Sequence, residues 1–217
     1  MNSSAMTLTF QNLRIALVVP CYNEAQTIAQ VIADFKKALP IIQCYVFDNN
    51  STDQTIEIAV AAGARGVVYV SSPSVSYSTT PVLGAVSPPA RDDVLGHYSQ
   101  TKSVAESAVL ADTRIAAVAL RPHLVWGPGD TQLVGRIVER ARQRRLALVD
   151  NGEAVVDSTY IDNVSDALAA AAERVGVQEN LSGRALVVSN GEPRTVASLV
   201  QSICSAANVS YAPRNIG

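Results

Sequence analysis

The chain has 217 residues, 48% hydrophobic and 17% charged, with a net charge of −2. This is a globular composition, long enough to bury a sizeable core. It excludes a disordered chain and gives no electrostatic case for nucleic acid or an anionic membrane as partner. The three cysteines, Cys21, Cys44 and Cys204, are odd in number and too widely spaced for a disulfide framework or a zinc site. No metal is expected, the thiols read as buried side chains, and a reduced, cytoplasmic setting is the default.

Arg14 to Pro20 is an apolar run ended by proline, the pattern of a strand buried on both faces. Its first apolar stretch is too short for a signal sequence or a membrane span. A helix follows, with Asn23 as its expected cap, Gln26 three residues on, apolar positions Ile28, Val31, Ile32, Phe35 and Leu39, and Pro40 as its stop. Cys44 to Phe47 predicts a second strand ending at Asp48. Ser51 to Ala62 predicts a second helix with Gly63 just past its end, and Val67 to Ser71 a third strand.

Ser71 to Asp93 is rich in Pro, Gly, Ser and Thr and reads as a loop. Beyond it come a helix (Val94 to Leu110), a strand (Ile115 to Leu120), a Pro- and Gly-rich loop (Arg121 to Asp130) and a helix (Gln132 to Arg144). The arginines between Arg136 and Arg145 read mostly as the wet face of that helix. Leu146 to Val149, Asp162 to Arg174, Ala185 to Ser189 and Thr195 to Ala206 complete the series as strand, helix, strand and helix. Such alternation implies a mostly parallel α/β sheet with helices on both faces.

Two resemblances divide the chain. Val18-Val19-Pro20-Cys21-Tyr22-Asn23-Glu24 and Asp48-Asn49-Asn50-Ser51-Thr52-Asp53 resemble the start of a family 2 glycosyltransferase of the GT-A fold. Both motifs fall at carboxyl ends of predicted strands, where open α/β sheets bind ligands. By that resemblance Pro20, Tyr22, Glu24 and Asp48 would hold a nucleoside, although Asn23 and Ser51 serve equally as plain helix caps. The later metal-binding Asp-x-Asp of that family has no counterpart in register.

From Val67 onward the likeness changes. Val67 to Val75, Tyr98-Ser99-Gln100-Thr101-Lys102, Leu120 to Asp130, Asp157 to Asn163 and Ser189 to Pro193 occur in the order seen in extended short-chain dehydrogenases. They resemble the 3β-hydroxysteroid dehydrogenase-like group and, within it, are similar to bacterial reductases of long-chain 2-alkyl-3-oxoacids. The resemblance implies a Rossmann-like fold with a small C-terminal α+β substrate-side region. It also implies NAD or NADP as cofactor and ketone–alcohol interconversion on a hydrophobic, steroid- or 3-oxoacyl-like small molecule. Such chemistry moves a hydride, which a nicotinamide carries, and a proton.

By resemblance Tyr98 exchanges the proton, Lys102 one helical turn on favours its phenolate and touches the nicotinamide ribose, and Ser72 hydrogen-bonds the substrate oxygen. Pro122 and His123 would lie beside the nicotinamide. Taken alone, Tyr98 and Lys102 also fit a surface pair on an amphipathic helix, and His123 a structural histidine.

The expected organisation is therefore a hybrid: a glycosyltransferase-like half over residues 1–65 and a dehydrogenase-like catalytic half over 66–217, joined in one continuous sheet. The dehydrogenase-like half ends soon after the helix at Thr195, earlier than the family does. The Gly-rich turn that holds a dinucleotide diphosphate is missing, because no glycine precedes Gly63 and the corresponding turn is Pro20-Cys21-Tyr22-Asn23-Glu24. The expectation is impaired oxidoreductase activity. A nucleotide-sugar-binding protein and a non-catalytic scaffold are the alternatives.

Overall fold

A computed structural model describes residues 16–38, 40, 42–48, 51–64, 66–77, 84, 90–91, 93–113, 115–175 and 181–216. Arg14, Ile15, Leu39, Asn49 and Asn50 of the predicted elements and motifs lie outside these residues. In chain order the elements are β1 (Ala16–Cys21), α1 (Ile28–Ala38), β2 (Gln43–Asp48), α2 (Thr55–Ala61), β3 (Gly66–Val70), a 3-10 turn (Pro73–Ser76), α3 (His97–Ala111), β4 (Ala116–Pro122) and β5 (Val125–Trp126). They continue with α4 (Val134–Arg142), β6 (Ala147–Leu148), a second 3-10 turn (Val149–Gly152), β7 (Val155–Val156), β8 (Thr159–Tyr160), α5 (Ile161–Arg174), β9 (Arg184–Val188), β10 (Arg194–Thr195), α6 (Val196–Ala206) and β11 (Arg214–Asn215).

The central sheet is parallel throughout and runs β1-β2-β3-β4-β9. Its strands alternate cleanly, because side chains two apart share a face. Cys44 and Val46 of β2 pack with Ile28, Ile32 and Ala59, while Tyr45 and Phe47 face the other way. Val67 and Tyr69 of β3, with Ala117 and Ala119 of β4, meet Ile56, Val60 and Val109. Helices α1, α2 and α3 therefore cover one face. On the other, Val68, Val118 and Leu120 join Tyr45 and Phe47 beneath Ala171, Ala172 and Val175 at the end of α5. The small C-terminal region rests on its own cluster, where Ala141 and Leu146 meet Val200 and Cys204. The two-residue pairings β5·β8, β6·β11 and β7·β10 tie this region together.

Several helix starts differ from the sequence expectation, each for a local reason. Helix α1 begins at Ile28, because Asn23 takes positive φ (56°) and its side-chain oxygen accepts the Thr52 N–H instead of capping. Helix α2 begins at Thr55, because the Ser51 hydroxyl accepts the Asn23 N–H at 2.8 Å. Helix α3 begins at His97, after Gly96 with φ 85°. Helix α4 begins at Val134, because the Asp130 carboxylate accepts the N–H groups of Gln132, Leu133 and Val134. Among the two-residue strands, β6 falls within the strand expected at Leu146 to Val149, whereas β5, β7, β8, β10 and β11 carry too little pattern to be read from sequence. Cys21, Cys44 and Cys204 are buried free thiols, and burial pushes Cys21 up to about 11.

Candidate active site

The dehydrogenase-like residues gather at the carboxyl ends of β3 and β4. Ser72 follows β3 directly. Its hydroxyl accepts the Ser74 N–H at 3.3 Å and lies 3.0 Å from the Ser74 hydroxyl, so it caps the 3-10 turn. Tyr98, in the first turn of α3, is 61% exposed. Lys102 stands one turn further on the same helix, and it points inward. It is 5% exposed, donates from Nζ to the Val70 carbonyl at 3.0 Å, and lies 5.0 Å from the centre of the buried Tyr69 ring. Burial lowers its pKa, and the negative charge of Asp48 opposes that shift. The fold thus brings Lys102 to the strand that leads into Ser72 and leaves Tyr98 exposed.

Pro122 ends β4 and His123 follows it. The His123 backbone N–H donates to the Val188 carbonyl at 2.9 Å, which ties it to β9. Its ring lies 3.3 Å, at Nε2, from the Tyr77 hydroxyl. Burial lowers the His123 pKa and raises that of Tyr77, while the charge of Asp157 raises both. Nearby, Trp126 donates to the Ser158 hydroxyl at 3.2 Å and meets the Tyr160 ring edge-on. Tyr77 had no sequence signal, since its partner is 46 residues away. Among the described residues no group of three or more His, Cys, Asp and Glu side chains is placed to hold a metal. None of the described helices is long and apolar enough to cross a membrane.

The four residues assigned to a nucleoside by the first resemblance do not share a surface. Pro20, Tyr22 and Glu24 are exposed, whereas Asp48 is 1% exposed and accepts the Ser51 N–H at 3.0 Å.

The turn between β1 and α1, which by the sequence resemblance corresponds to the Gly-rich diphosphate turn, follows the edge strand of the sheet, and three of its backbone donors are taken. The N–H groups of Asn23, Glu24 and Ala25 donate to Ser51 Oγ (2.8 Å), Thr55 Oγ1 (2.8 Å) and Asp53 Oδ2 (3.1 Å). The Asp53 carboxylate also accepts the Thr55 hydroxyl and the Thr55 N–H. Its pKa is lowered mainly by the Thr55 hydroxyl, with help from the backbone N–H groups. This clasp places a built-in carboxylate where an incoming anion needs donors. Glu24 adds a second carboxylate, which accepts the Thr27 hydroxyl at 2.7 Å. The residues present do not fit a diphosphate. The sequence shows the missing glycines, but not the clasp, whose two halves lie 28 to 31 residues apart.

Comparison with known proteins places these features in a family. The 3-beta hydroxysteroid dehydrogenase/isomerase family matches residues 18–213. The match begins inside β1, upstream of the boundary expected near residue 66, and the comparisons lend no support to a glycosyltransferase segment there. A 2-alkyl-3-oxoalkanoate reductase of Stenotrophomonas maltophilia is 46% identical over 160 residues, covering 71% of this chain and 48% of that protein. The human sterol-4-alpha-carboxylate 3-dehydrogenase, decarboxylating, is 32% identical over 148 residues, covering 65% of this chain and 40% of that protein. The chain thus spans about half the length, or less, of these curated relatives. A 55-residue stretch is 53% identical to Protein RfbJ of Shigella flexneri, covering 25% of this chain and 43% of that protein. Among solved structures, UDP-glucuronic acid 4-epimerase of Bacillus cereus, in complex with NAD, superposes with a TM-score of 0.65 at 15% identity. It covers 93% of this chain and 87% of that one, a likeness of fold. With nine-tenths of its length matched, the chain belongs to the 3-beta hydroxysteroid dehydrogenase/isomerase family.

Proposed function

We propose that this chain retains the Ser72, Tyr98 and Lys102 set of an NAD(P)-dependent ketone–alcohol oxidoreductase but has lost the seat for the cofactor diphosphate. The ancestral substrate would be hydrophobic, steroid-like or 3-oxoacyl-like, in keeping with the names of its relatives. The observation that carries this reading is the clasp. Three consecutive N–H groups, those of Asn23, Glu24 and Ala25, are satisfied within the chain, two carboxylates stand beside them, and no glycine allows close approach. A dinucleotide would have to break these bonds before making its own. The expected activity is therefore absent or weak.

Calorimetric titration with NADH and NADPH tests this. The expected result is no binding tighter than about 1 mM, equivalent to about −4.1 kcal/mol. Saturable binding below that concentration would overturn the reading.

A nucleotide-sugar-binding role for the first 65 residues is the weaker reading, because Asp48 is buried and its carboxylate holds the Ser51 N–H. Titration with UDP, with and without Mn²⁺, is expected to give no heat of binding.

A further inference from the structure

One guanidinium reaches both of the segments that carry the dehydrogenase-like set. We propose that Arg121 is a positioning residue: through Glu106 and Ser76 it fixes α3 and the 3-10 turn against each other, and so sets where Lys102 stands relative to Ser72.

Ser72 and Lys102 come from different elements. Ser72 opens the 3-10 turn (Pro73–Ser76), and its hydroxyl is taken up by Ser74 of the same turn. Lys102 lies on α3. Arg121 stands on β4, between β3 and β9 in the sheet, where its backbone pairs with Val187. Its side chain is buried. Nε and Nη2 donate to the two Glu106 carboxylate oxygens, and Nη1 donates to the Ser76 hydroxyl at 2.7 Å. Glu106 is one helical turn beyond Lys102 on α3, and Ser76 closes the turn that Ser72 opens.

The choice of groups argues for geometry beyond stability. A buried ion pair is often no more stabilising than apolar side chains of similar volume, so stability by itself does not call for one here. A guanidinium is a rigid planar fork, and two parallel bonds to one carboxylate fix orientation as well as distance. With its third nitrogen on Ser76, Arg121 leaves the helix and the turn little freedom to slide past each other. Lys102 reports that placement, because its Nζ donates to the Val70 carbonyl at 3.0 Å and lies 5.0 Å from the Tyr69 ring centre. A second, neutral tie joins the same two elements. The Ser103 hydroxyl donates to the Arg91 carbonyl at 2.8 Å, and the Arg91 N–H donates to the Val75 carbonyl at 2.9 Å. A variant without the ion pair therefore keeps a link between α3 and the turn.

This deepens the proposed function, since it rests on Ser72, Tyr98 and Lys102 being an inherited set. Its test involves no nucleotide, and NADH binding would overturn that reading without bearing on the lysine spectrum. The chain has three lysines, Lys36, Lys37 and Lys102. In protein labelled with ¹³C at lysine Cε, the Lys102 signal is identified by its loss in Lys102→Met, and the Tyr69 ring displaces it from the free-lysine position. In the double variant Arg121→Met with Glu106→Leu, the Lys102 ε-methylene signal is expected to move most of the way to the free-lysine position, with Lys36 and Lys37 unmoved. An unmoved Lys102 signal in the folded double variant makes the pair a purely structural one and overturns the proposal. If the double variant does not fold, Ser76→Ala decides, since it leaves the ion pair intact. Amide exchange at Ser74, whose N–H is held by the Ser72 hydroxyl, is then expected to quicken, and unchanged exchange overturns the proposal.

Discussion

Arg121 carries a guanidinium into the core at 1% exposure, and the fold gives a partner to each of its three nitrogens. Nε and Nη2 meet the two Glu106 oxygens and Nη1 meets the Ser76 hydroxyl at 2.7 Å, so one side chain links β4, α3 and the 3-10 turn behind Ser72. Removing one partner leaves the other charged and buried. Glu106→Gln or Arg121→Met is expected to cost about 3–5 kcal/mol in urea unfolding, and replacing both with apolar residues should cost much less than the two losses summed. His123 makes a separate prediction. Burial holds its folded pKa below the ordinary value of 6.5, so the unfolded state binds the proton first as pH falls. Stability is then complete above about pH 6.5 and is lost as pH drops toward the folded value. His123→Gln is expected to flatten that slope in chemical denaturation between pH 7 and 5, and an unchanged slope would sink the assignment.

At the scale of elements, the β1–α1 and β2–α2 turns hold each other. Thr55 is the hinge of that clasp, since its buried hydroxyl accepts the Glu24 N–H and donates to Asp53. Thr55→Val keeps the shape and removes both bonds. It is expected to cost about 1–3 kcal/mol, with faster amide exchange at Glu24. The start of β3 is equally constrained. A Cβ on Gly66 would lie 2.7 Å from Val175 Cγ1 and 3.3 Å from the Ala116 carbonyl, because α5 closes directly over the strand. Gly66→Ala should therefore destabilise by about 1–3 kcal/mol, seen as a lower urea midpoint. Most elements were legible in sequence, because five- to seven-residue apolar runs and helical periodicity are local signals. The starts of α5 and α6 were legible to within a residue, but those of α1 and α2 were not, because Asn23 and Ser51 spend their polar groups on each other's turns rather than on their own helices.

For the whole molecule, strand order governs where a ligand can lie. Open α/β sheets bind ligands where successive strands run off in opposite directions and their helices diverge. Here the order β1-β2-β3-β4-β9 never reverses among the described strands, and α1, α2 and α3 share one face. Among the described strands, therefore, no reversal of order falls beside β1. Composition, strand and helix alternation and the ordered dehydrogenase-like segments were properties of the sequence itself, because they depend on neighbours along the chain. So was the absence of glycine from the first turn. Only the tertiary structure decided that Asn23, Glu24 and Ala25 are sealed by Ser51, Thr55 and Asp53, that Asp48 is buried, and that Lys102 turns inward to β3. These are pairings across tens of residues, set by which strands lie side by side, and no local pattern encodes them.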